Sequence, residues 1–172
     1  MKETYLNPLT DFGFKKLFFN ELNKELLIDF LNEIIQERGR ITDIQYLPTE
    51  QLGDNEENRN AIFDIFCTNE KGEYFIVELQ KAKQPHFRDR SLFYSSFPIR
   101  DQAQKGTWDF QMKAIYLVAI LDFVIFDEFK KDKYRTIEQV RLFREGTKTI
   151  YSKKLNFVFV ELPKFTKEAH EL

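Results

Sequence analysis

Two carboxylates lie inside strongly apolar segments of the sequence. Asp64 interrupts the segment AIFDIFC, which begins at Ala61, and Glu78 interrupts EYFIVELQ, which begins at Glu73. Both segments are typical of interior strands that are covered on both faces. A carboxylate in such a strand loses hydration worth several kcal/mol unless a cation, hydrogen bonds or a bound proton compensates it. These two residues are therefore the first candidates for chemistry.

The segment that joins the two strands predicts that the carboxylates face each other. Glu70-Lys71-Gly72 has the composition of a three-residue hairpin loop, in which glycine takes the third, left-handed position. Such a loop pairs Asn69 with Glu73. The same register places Asp64 directly opposite Glu78, with their β-carbons roughly 5 Å apart.

Strand alternation adds Gln80 to the face of Glu78 and turns Val77 and Leu79 to the other face. Two adjacent buried carboxylates repel each other, and both ionise only when a cation lies between them. Oxygen ligands with access to solvent favour a hard ion, Mg²⁺, Mn²⁺ or Ca²⁺, which polarises a phosphoryl oxygen and activates a bound water. The alternative is that both carboxylates lie at strand ends, where they face solvent or bind Arg and Lys.

The remaining composition excludes several other kinds of site. The 172 residues include one cysteine, Cys67, and two histidines, His86 and His170, which excludes an internal disulfide and any cysteine-rich or histidine-rich metal site. Neither histidine lies in a nucleophile motif, and the common phosphate-binding glycine loops are absent. The N-terminus has no apolar signal-peptide core, and the longest apolar run, 114–121, is too short for a membrane span. We expect one cytoplasmic domain with no membrane contact.

The charges are unevenly distributed along the chain. The formal net charge is −2, yet the segment from Lys81 to Lys113 holds seven basic and three acidic residues. A local basic segment in an acidic protein favours a groove for a nucleic-acid backbone over a protein that coats one, although a solvated helix face would look similar.

Alternating helix and strand patterns surround the two carboxylates. Thr10 predicts the N-cap of a short helix, and an apolar stripe from Leu22 to Ile35 predicts a core-facing helix that stops near Gly39. A helix between two buried strands predicts a parallel crossover. The predicted strands are 41–47, the two carboxylate segments, 114–121, 136–143 and 155–162, with a polar loop at 52–60 and a helix at 86–105 that is kinked at Pro98.

Six segments together resemble the PD-(D/E)XK nuclease superfamily, in its branch of recombination-promoting nucleases and transposases. They are TDFGFKKLF at 10–18, FLNEII at 30–35, FDIFCTNEKGEYFIVELQ at 63–80, RSLFYSS at 90–96, AIYLVAILDF at 114–123 and the late VFVELPKF. The resemblance implies an α/β, restriction-endonuclease-like fold with an α-β-β-β-α-β core and a central mixed sheet flanked by helices. It covers one nuclease-like domain, 1–172, which we expect to lack the family's C-terminal helical portion.

The resemblance also implies the residues of a metal site. Asp64 and Glu78 match the metal ligands, with the Leu79 main-chain carbonyl as a third, and the ion would be Mg²⁺, or Mn²⁺ or Ca²⁺. Gln80 takes the place of the superfamily's usual lysine and cannot supply its positive charge, but glutamine here is characteristic of this branch. Lys81 or Lys83 would have to supply that charge instead, although strand alternation turns Lys81 away unless the strand ends at Gln80.

Further candidates lie on the two helices beside this strand. Arg90 and Tyr94 share a helix face and would contact a phosphate. The alternative is that they pack inside the protein, with an ion pair. Asp11 and Lys15 have the same spacing, and the resemblance makes them candidates for the active-site edge. The alternative is that they form only a surface salt bridge. The full set of expected DNA-binding residues is Lys81, Lys83, Arg88, Arg90, Tyr94 and Lys105.

The function that follows is a divalent-metal-dependent DNA endonuclease of the transposase or recombination-promoting type. Asp64, Glu78 and Gln80 are its catalytic candidates, DNA is its partner, and a homodimer is compatible with the family. The alternative is a degenerate nuclease-fold domain that binds DNA or a protein without cleaving, which is suggested by Gln80 and the net negative charge.

Overall fold

The computed structural model describes residues 6–35, 39–51, 60–103, 108–129 and 133–166, which form a mixed α/β fold around a six-stranded sheet. The sheet order is β1-β4-β5-β6-β8-β7, and β2 and β3 form a separate two-stranded sheet. The helices are α1 (Asp11–Phe18), α2 (Lys24–Ile34) and α3 (Phe87–Asp101). The strands are β1 (Ile44–Tyr46), β2 (Glu50–Gln51), β3 (Ala61–Ile62), β4 (Ile65–Asn69), β5 (Tyr74–Gln80), β6 (Ile115–Leu121), β7 (Ile137–Phe143) and β8 (Ile150–Glu161).

The strand directions confirm the predicted crossover. β5 and β6 are parallel and are joined through α3, and β8 is parallel to β6 on its other side. β1 and β4, β4 and β5, and β7 and β8 pair antiparallel. The sheet is therefore mixed, as expected.

Alternate side chains of β5 pack into two apolar layers, one on each face of the sheet. Phe75 and Val77 pack in a cluster with Leu27 and Leu31 of α2. Ile76 packs in the opposite cluster, which includes aromatic side chains of α3. The buried, almost wholly apolar sequence of β5 follows from this coverage on both faces.

The first helix begins where the sequence predicts. The Thr10 hydroxyl oxygen accepts a hydrogen bond from the main-chain N–H of Gly13 at 3.0 Å, which caps α1. A β-carbon at Gly13 would lie 1.9 Å from the carbonyl oxygen of Asn7. Only glycine permits this approach, which accounts for its place within TDFGFKKLF.

Several predicted boundaries were wrong, and the main error concerns the first carboxylate strand. Segment 61–67 is not continuous, because β3 ends at Ile62 and β4 begins at Ile65. Between them the Phe63 N–H donates to the carbonyl oxygen of Thr49, just before β2, and the Phe63 side chain is fully buried against Phe66 and Tyr94. Asp64 consequently lies just before its strand rather than inside it.

Smaller corrections concern the ends of other elements. β1 is shorter than 41–47 because the main-chain N–H and C=O of Ile41 bond to the side chain of Asn32 instead of a strand. β8 begins at Ile150, five residues before the prediction, and pairs with β7 through a register shift after Arg141. α3 contains Pro98 and ends at Asp101. Most of the predicted loop at 52–60 lies outside the described residues. Among the described residues, no helix is long and apolar enough to span a bilayer.

Candidate active site

The hairpin of β4 and β5 has the predicted register. Ile65 pairs with Val77 and Thr68 with Tyr74, so the next position before β4, Asp64, falls opposite Glu78. The Asn69 N–H bonds to the Glu73 carbonyl at 3.1 Å, and Gly72 has a φ of 72° in the left-handed region. The glycine-closed turn thus sets which side chains meet at the far end of the hairpin.

Each of the two carboxylates accepts a hydrogen bond from a main-chain N–H on the neighbouring segment. The Asp64 N–H donates to Glu78 Oε1 at 3.2 Å, and the N–H of Leu79 donates to Asp64 Oδ2 at 2.8 Å. Among the described residues none donates a hydrogen bond to Asp64 Oδ1. The structure therefore brings the two predicted carboxylates together and leaves one oxygen of Asp64 open to a ligand.

Burial and mutual repulsion act on both carboxylates. The Glu78 side chain is only 2% exposed, and burial, followed by the negative charge of Asp64, raises the pKa of Glu78 to about 8. Burial also raises the pKa of Asp64, against the hydrogen bond from Leu79 that lowers it. Without a bound metal ion the Asp64–Glu78 pair therefore carries less than its full negative charge at neutral pH.

The donor set fits a hard divalent ion. Two adjacent carboxylates supply oxygen ligands and a negative potential that such an ion would relieve. The described residues contain no group of three or more His, Cys, Asp and Glu side chains that would chelate a metal. Further ligands would therefore have to be water or a main-chain oxygen, and the Leu79 carbonyl is the one that the resemblance implies.

Arg90, from the first turns of α3, is the cation that contacts this pair. Its Nη2 lies 3.2 Å from Glu78 Oε2, and its Nη1 donates to Gln80 Oε1 at 3.4 Å. Gln80 Nε2 lies 3.5 Å from the same Glu78 oxygen. Arg90 also donates to Gln84 Oε1, a residue that the sequence reasoning missed because it lies in a loop with no motif.

The Arg90 and Tyr94 side chains share a helix face, as predicted. The guanidinium lies over the Tyr94 ring, 4.8 Å from its centroid, and the rings of Phe63 and Phe93 lie 5.2 and 6.2 Å from the same ring. Here Arg90 makes the ion pair inside the protein that was the alternative to a phosphate contact. Its role towards DNA remains a prediction.

The remaining basic candidates lie further from the carboxylates. Lys81 and Lys83 are exposed beyond the end of β5, and neither forms an ion pair with a described residue. Arg88 donates to the carbonyl of Ile125 and to Glu128, so it fastens the loop after β6 instead. Lys105 lies outside the described residues.

The helix α1 contributes a second positive charge near the site. Lys15 Nζ lies 2.8 Å from Asp11 Oδ1, which is the predicted i, i+4 pair. The hydrogen bond from Lys15 to Asp11 raises the Lys15 pKa, and the charges of Asp64 and Glu78 raise it further. The pair therefore lies close enough to the carboxylates to act on them electrostatically.

A second buried carboxylate was missed, although the same criterion detects it. Glu161 ends the apolar run of β8 and is fully buried. Its Oε1 accepts hydrogen bonds from the N–H groups of Ile125 and Phe126, and it forms an ion pair with Lys164. Glu161 therefore fixes the loop after β6, and a carboxylate inside an apolar strand does not by itself indicate a metal site.

Comparison with known proteins agrees with this fold. A family model described as PD-(D/E)XK nuclease family transposase matches residues 8–172. The chain belongs to this family, whose nuclease fold implies a DNA substrate and whose superfamily generally uses divalent metals. No curated protein and no solved structure matches the chain.

Proposed function

We propose that this protein is a divalent-metal-dependent DNA endonuclease that hydrolyses phosphodiester bonds in recombination or transposition. The observation that supports this most directly is the Asp64–Glu78 pair in a chain that belongs to a nuclease family. The Asp64 N–H donates to the Glu78 carboxylate, and the Leu79 N–H donates to the Asp64 carboxylate. A purely structural pair of buried carboxylates would be costly to maintain, because their repulsion destabilises the folded state.

Each residue of the site has a role in this proposal. Asp64, Glu78 and the Leu79 carbonyl would hold the ion, which when bound polarises a phosphoryl oxygen and makes water a stronger nucleophile. The Gln80 amide, held by Arg90, would orient the attacking water. Cleavage would leave a 3′-hydroxyl on one strand end and a phosphate on the other.

The surrounding positive charges would bind the DNA backbone. Arg90 is close enough to Glu78 to reach a phosphate at the site, where a guanidinium stabilises the charge that develops during hydrolysis. Lys81 and Lys83 would contact phosphates further along the strand, since both are exposed and form no ion pair with described residues.

A non-cleaving domain is the second candidate function, and one contact favours it. The guanidinium of Arg90 already contacts Glu78 Oε2, and Gln80 replaces the lysine that superfamily members usually carry. In this case the chain would bind DNA or a protein partner and would not need a metal.

Nicking of supercoiled plasmid DNA tests the proposal. We expect wild type to nick in Mg²⁺ or Mn²⁺ and not in EDTA, and Glu78→Ala to abolish nicking because one of the two carboxylate ligands is lost. Circular dichroism would confirm that the variant is folded. Glu70→Gln is the matched control, since Glu70 lies in the turn at the other end of the same hairpin.

Undiminished nicking by Glu78→Ala would exclude the proposed site. If wild type binds DNA in a gel-shift assay and cuts in none of Mg²⁺, Mn²⁺ or Ca²⁺, the non-cleaving function is favoured instead.

A further inference from the structure

A surface groove of about 750 Å³ opens beside the candidate active site. Arg90 and Gln84, which are hydrogen-bonded to each other, belong to both, and the guanidinium of Arg90 lies 3.2 Å from Glu78. A ligand in the groove would therefore lie across the Arg90 side chain from Glu78. The residues that line the groove are Asn60, Ile62, Gln84, Pro85, His86, Asp89, Arg90, Phe93 and Tyr94.

One wall of the groove is apolar and exposed. Ile62 is 63% exposed and Phe93 is 39% exposed, although Phe93 also packs against Phe97. Tyr94 offers less free surface, because Arg90 lies over its ring and Phe63 packs against it. Ile62 and Phe93 are thus the surfaces that a bound apolar group would cover.

The charges around the groove disfavour a phosphate and permit an uncharged ring. Asp89, near the start of α3, would repel an anion, and its own partner is His86 at 3.5 Å. The guanidinium of Arg90 lies against Glu78, so its charge serves the active site rather than the groove. The Gln84 amide and the His86 ring can instead exchange hydrogen bonds with the polar edge of a heterocycle.

A nucleobase combines a flat apolar face with such an edge. In a fully paired duplex both faces of each base are covered by stacking, so only an unpaired base presents a face to a protein. Stacking on an aromatic side chain is accessible to every base, because each has a π-face.

We infer that the groove bounded by Ile62 and Phe93 holds an unpaired nucleobase of the substrate strand, next to the phosphate that is cut. This inference rests on the proposed function, from which it takes DNA as the substrate. The substrate would therefore be single-stranded DNA, or a duplex with an extrahelical base, in preference to a fully paired duplex.

Fluorescence anisotropy in EDTA tests the inference without cleavage. The probes are a labelled single strand, the same strand in a full duplex, and that duplex with one bulged nucleotide. We expect the single strand or the bulged duplex to bind more tightly than the full duplex, and the tighter of the two identifies the source of the unpaired base. Phe93→Ala should weaken that binding by about 5- to 150-fold, the effect of losing one stacked base. Ile62→Ser should weaken it by a smaller factor, because it removes only an apolar contact.

Leu92→Ala is the matched control, since Leu92 is 53% exposed on the same helix and does not line the groove. It should bind all three probes as wild type does. Ile62→Ser guards against a folding defect of Phe93→Ala, because Ile62 is exposed in a two-residue strand. Equal or tighter binding of the full duplex would overturn the inference, as would wild-type affinity of both groove variants for the unpaired probes.

The two proposals fail separately in this design. If the groove variants lose affinity for unpaired DNA but wild type cuts no DNA in any metal, the base-binding groove is supported and the nuclease activity is not. If wild type nicks DNA in Mg²⁺ but the groove variants bind the unpaired probes normally, the nuclease stands and the groove does not.

Discussion

Glu78 lies between two opposing electrostatic influences. It is almost completely buried beside Asp64, which favours its protonated form, and it also accepts a hydrogen bond from Arg90, which favours its charged form. The balance leaves its pKa at about 8, well above the ordinary value of 4.5. A divalent ion would change this balance, because it would stabilise the charged forms of both carboxylates.

The elevated pKa of Glu78 predicts a pH dependence for the metal-free protein. Its contribution to stability is fully present below pH 4.5 and is lost as the pH rises through about 8, because the folded state holds its proton more tightly than the unfolded state. Asp64 acts in the same direction. In EDTA the melting temperature should therefore fall between pH 5 and pH 9 more steeply in wild type than in Glu78→Gln.

The control for this measurement is Glu70→Gln, which should keep the wild-type slope because Glu70 is outside the carboxylate pair. Identical slopes in wild type and Glu78→Gln would show that Glu78 is not the buried titrating group.

At the residue scale, the sequence was sufficient to pair Asp64 with Glu78 but not to place Arg90. The pairing follows from the loop Glu70-Lys71-Gly72, since loop length and glycine position fix a hairpin register. The contact of Arg90 with Glu78 depends on how α3 packs over the sheet and on the rotamer of a long side chain. Helical spacing predicts only the face that Arg90 shares with Tyr94.

At the element scale, the turn between β4 and β5 positions the site from the far end of the hairpin. Gly72 has a φ of 72°, whereas a β-carbon there would meet only Lys113 at 3.7 Å or more, so the demand on this position is conformational rather than steric. Gly72→Ala should therefore destabilise the protein by about 1–2 kcal/mol, measured by urea denaturation.

Gly146 supplies the comparison, because nothing lies within 4 Å of a β-carbon placed there and its φ is not in the left-handed region. Gly146→Ala should change the stability by less than about 0.5 kcal/mol. Equal effects of the two substitutions would contradict the role assigned to the Gly72 turn.

The interrupted strand before Asp64 shows where pattern reading fails at this scale. AIFDIFC has the composition of one buried strand, and its local pattern contains no break. The break arises because Phe63 is buried between α3 and the sheet while its N–H bonds to Thr49. The contacts of Phe63 with distant residues interrupt the strand, and they leave no signal in the local sequence.

At the scale of the whole molecule, ion pairs within the fold reduce the number of positive charges in the basic segment that are available to DNA. Arg88, Arg90 and Arg100 are each paired with an acidic side chain, whereas Lys81 and Lys83 are unpaired among the described residues. Three of the seven basic residues of the segment that the sequence identifies are therefore paired within the fold. DNA binding should rest on a small number of phosphate contacts rather than on bulk charge.

This charge distribution predicts a weak salt dependence. About two phosphate contacts give a slope of roughly −1 to −2 for the logarithm of the binding constant for single-stranded DNA against the logarithm of salt concentration. Anisotropy titrations between 50 and 200 mM salt would measure it, and replacing Lys81 and Lys83 by glutamine should make the slope less steep than about −1, because only the contact of Arg90 then remains. A slope steeper than about −4 would show an extensive cationic surface instead.

Calorimetric titration of Mn²⁺ into the wild-type protein, with Glu78→Gln and Glu70→Gln alongside, tests the proposed metal site most directly. The predicted result is saturable binding to wild type and to Glu70→Gln, with binding to Glu78→Gln weakened at least about tenfold because one charged ligand is lost. Equal affinity of all three proteins, or no binding to wild type at millimolar Mn²⁺, would contradict the assignment of Asp64 and Glu78 as the ligands of a divalent ion.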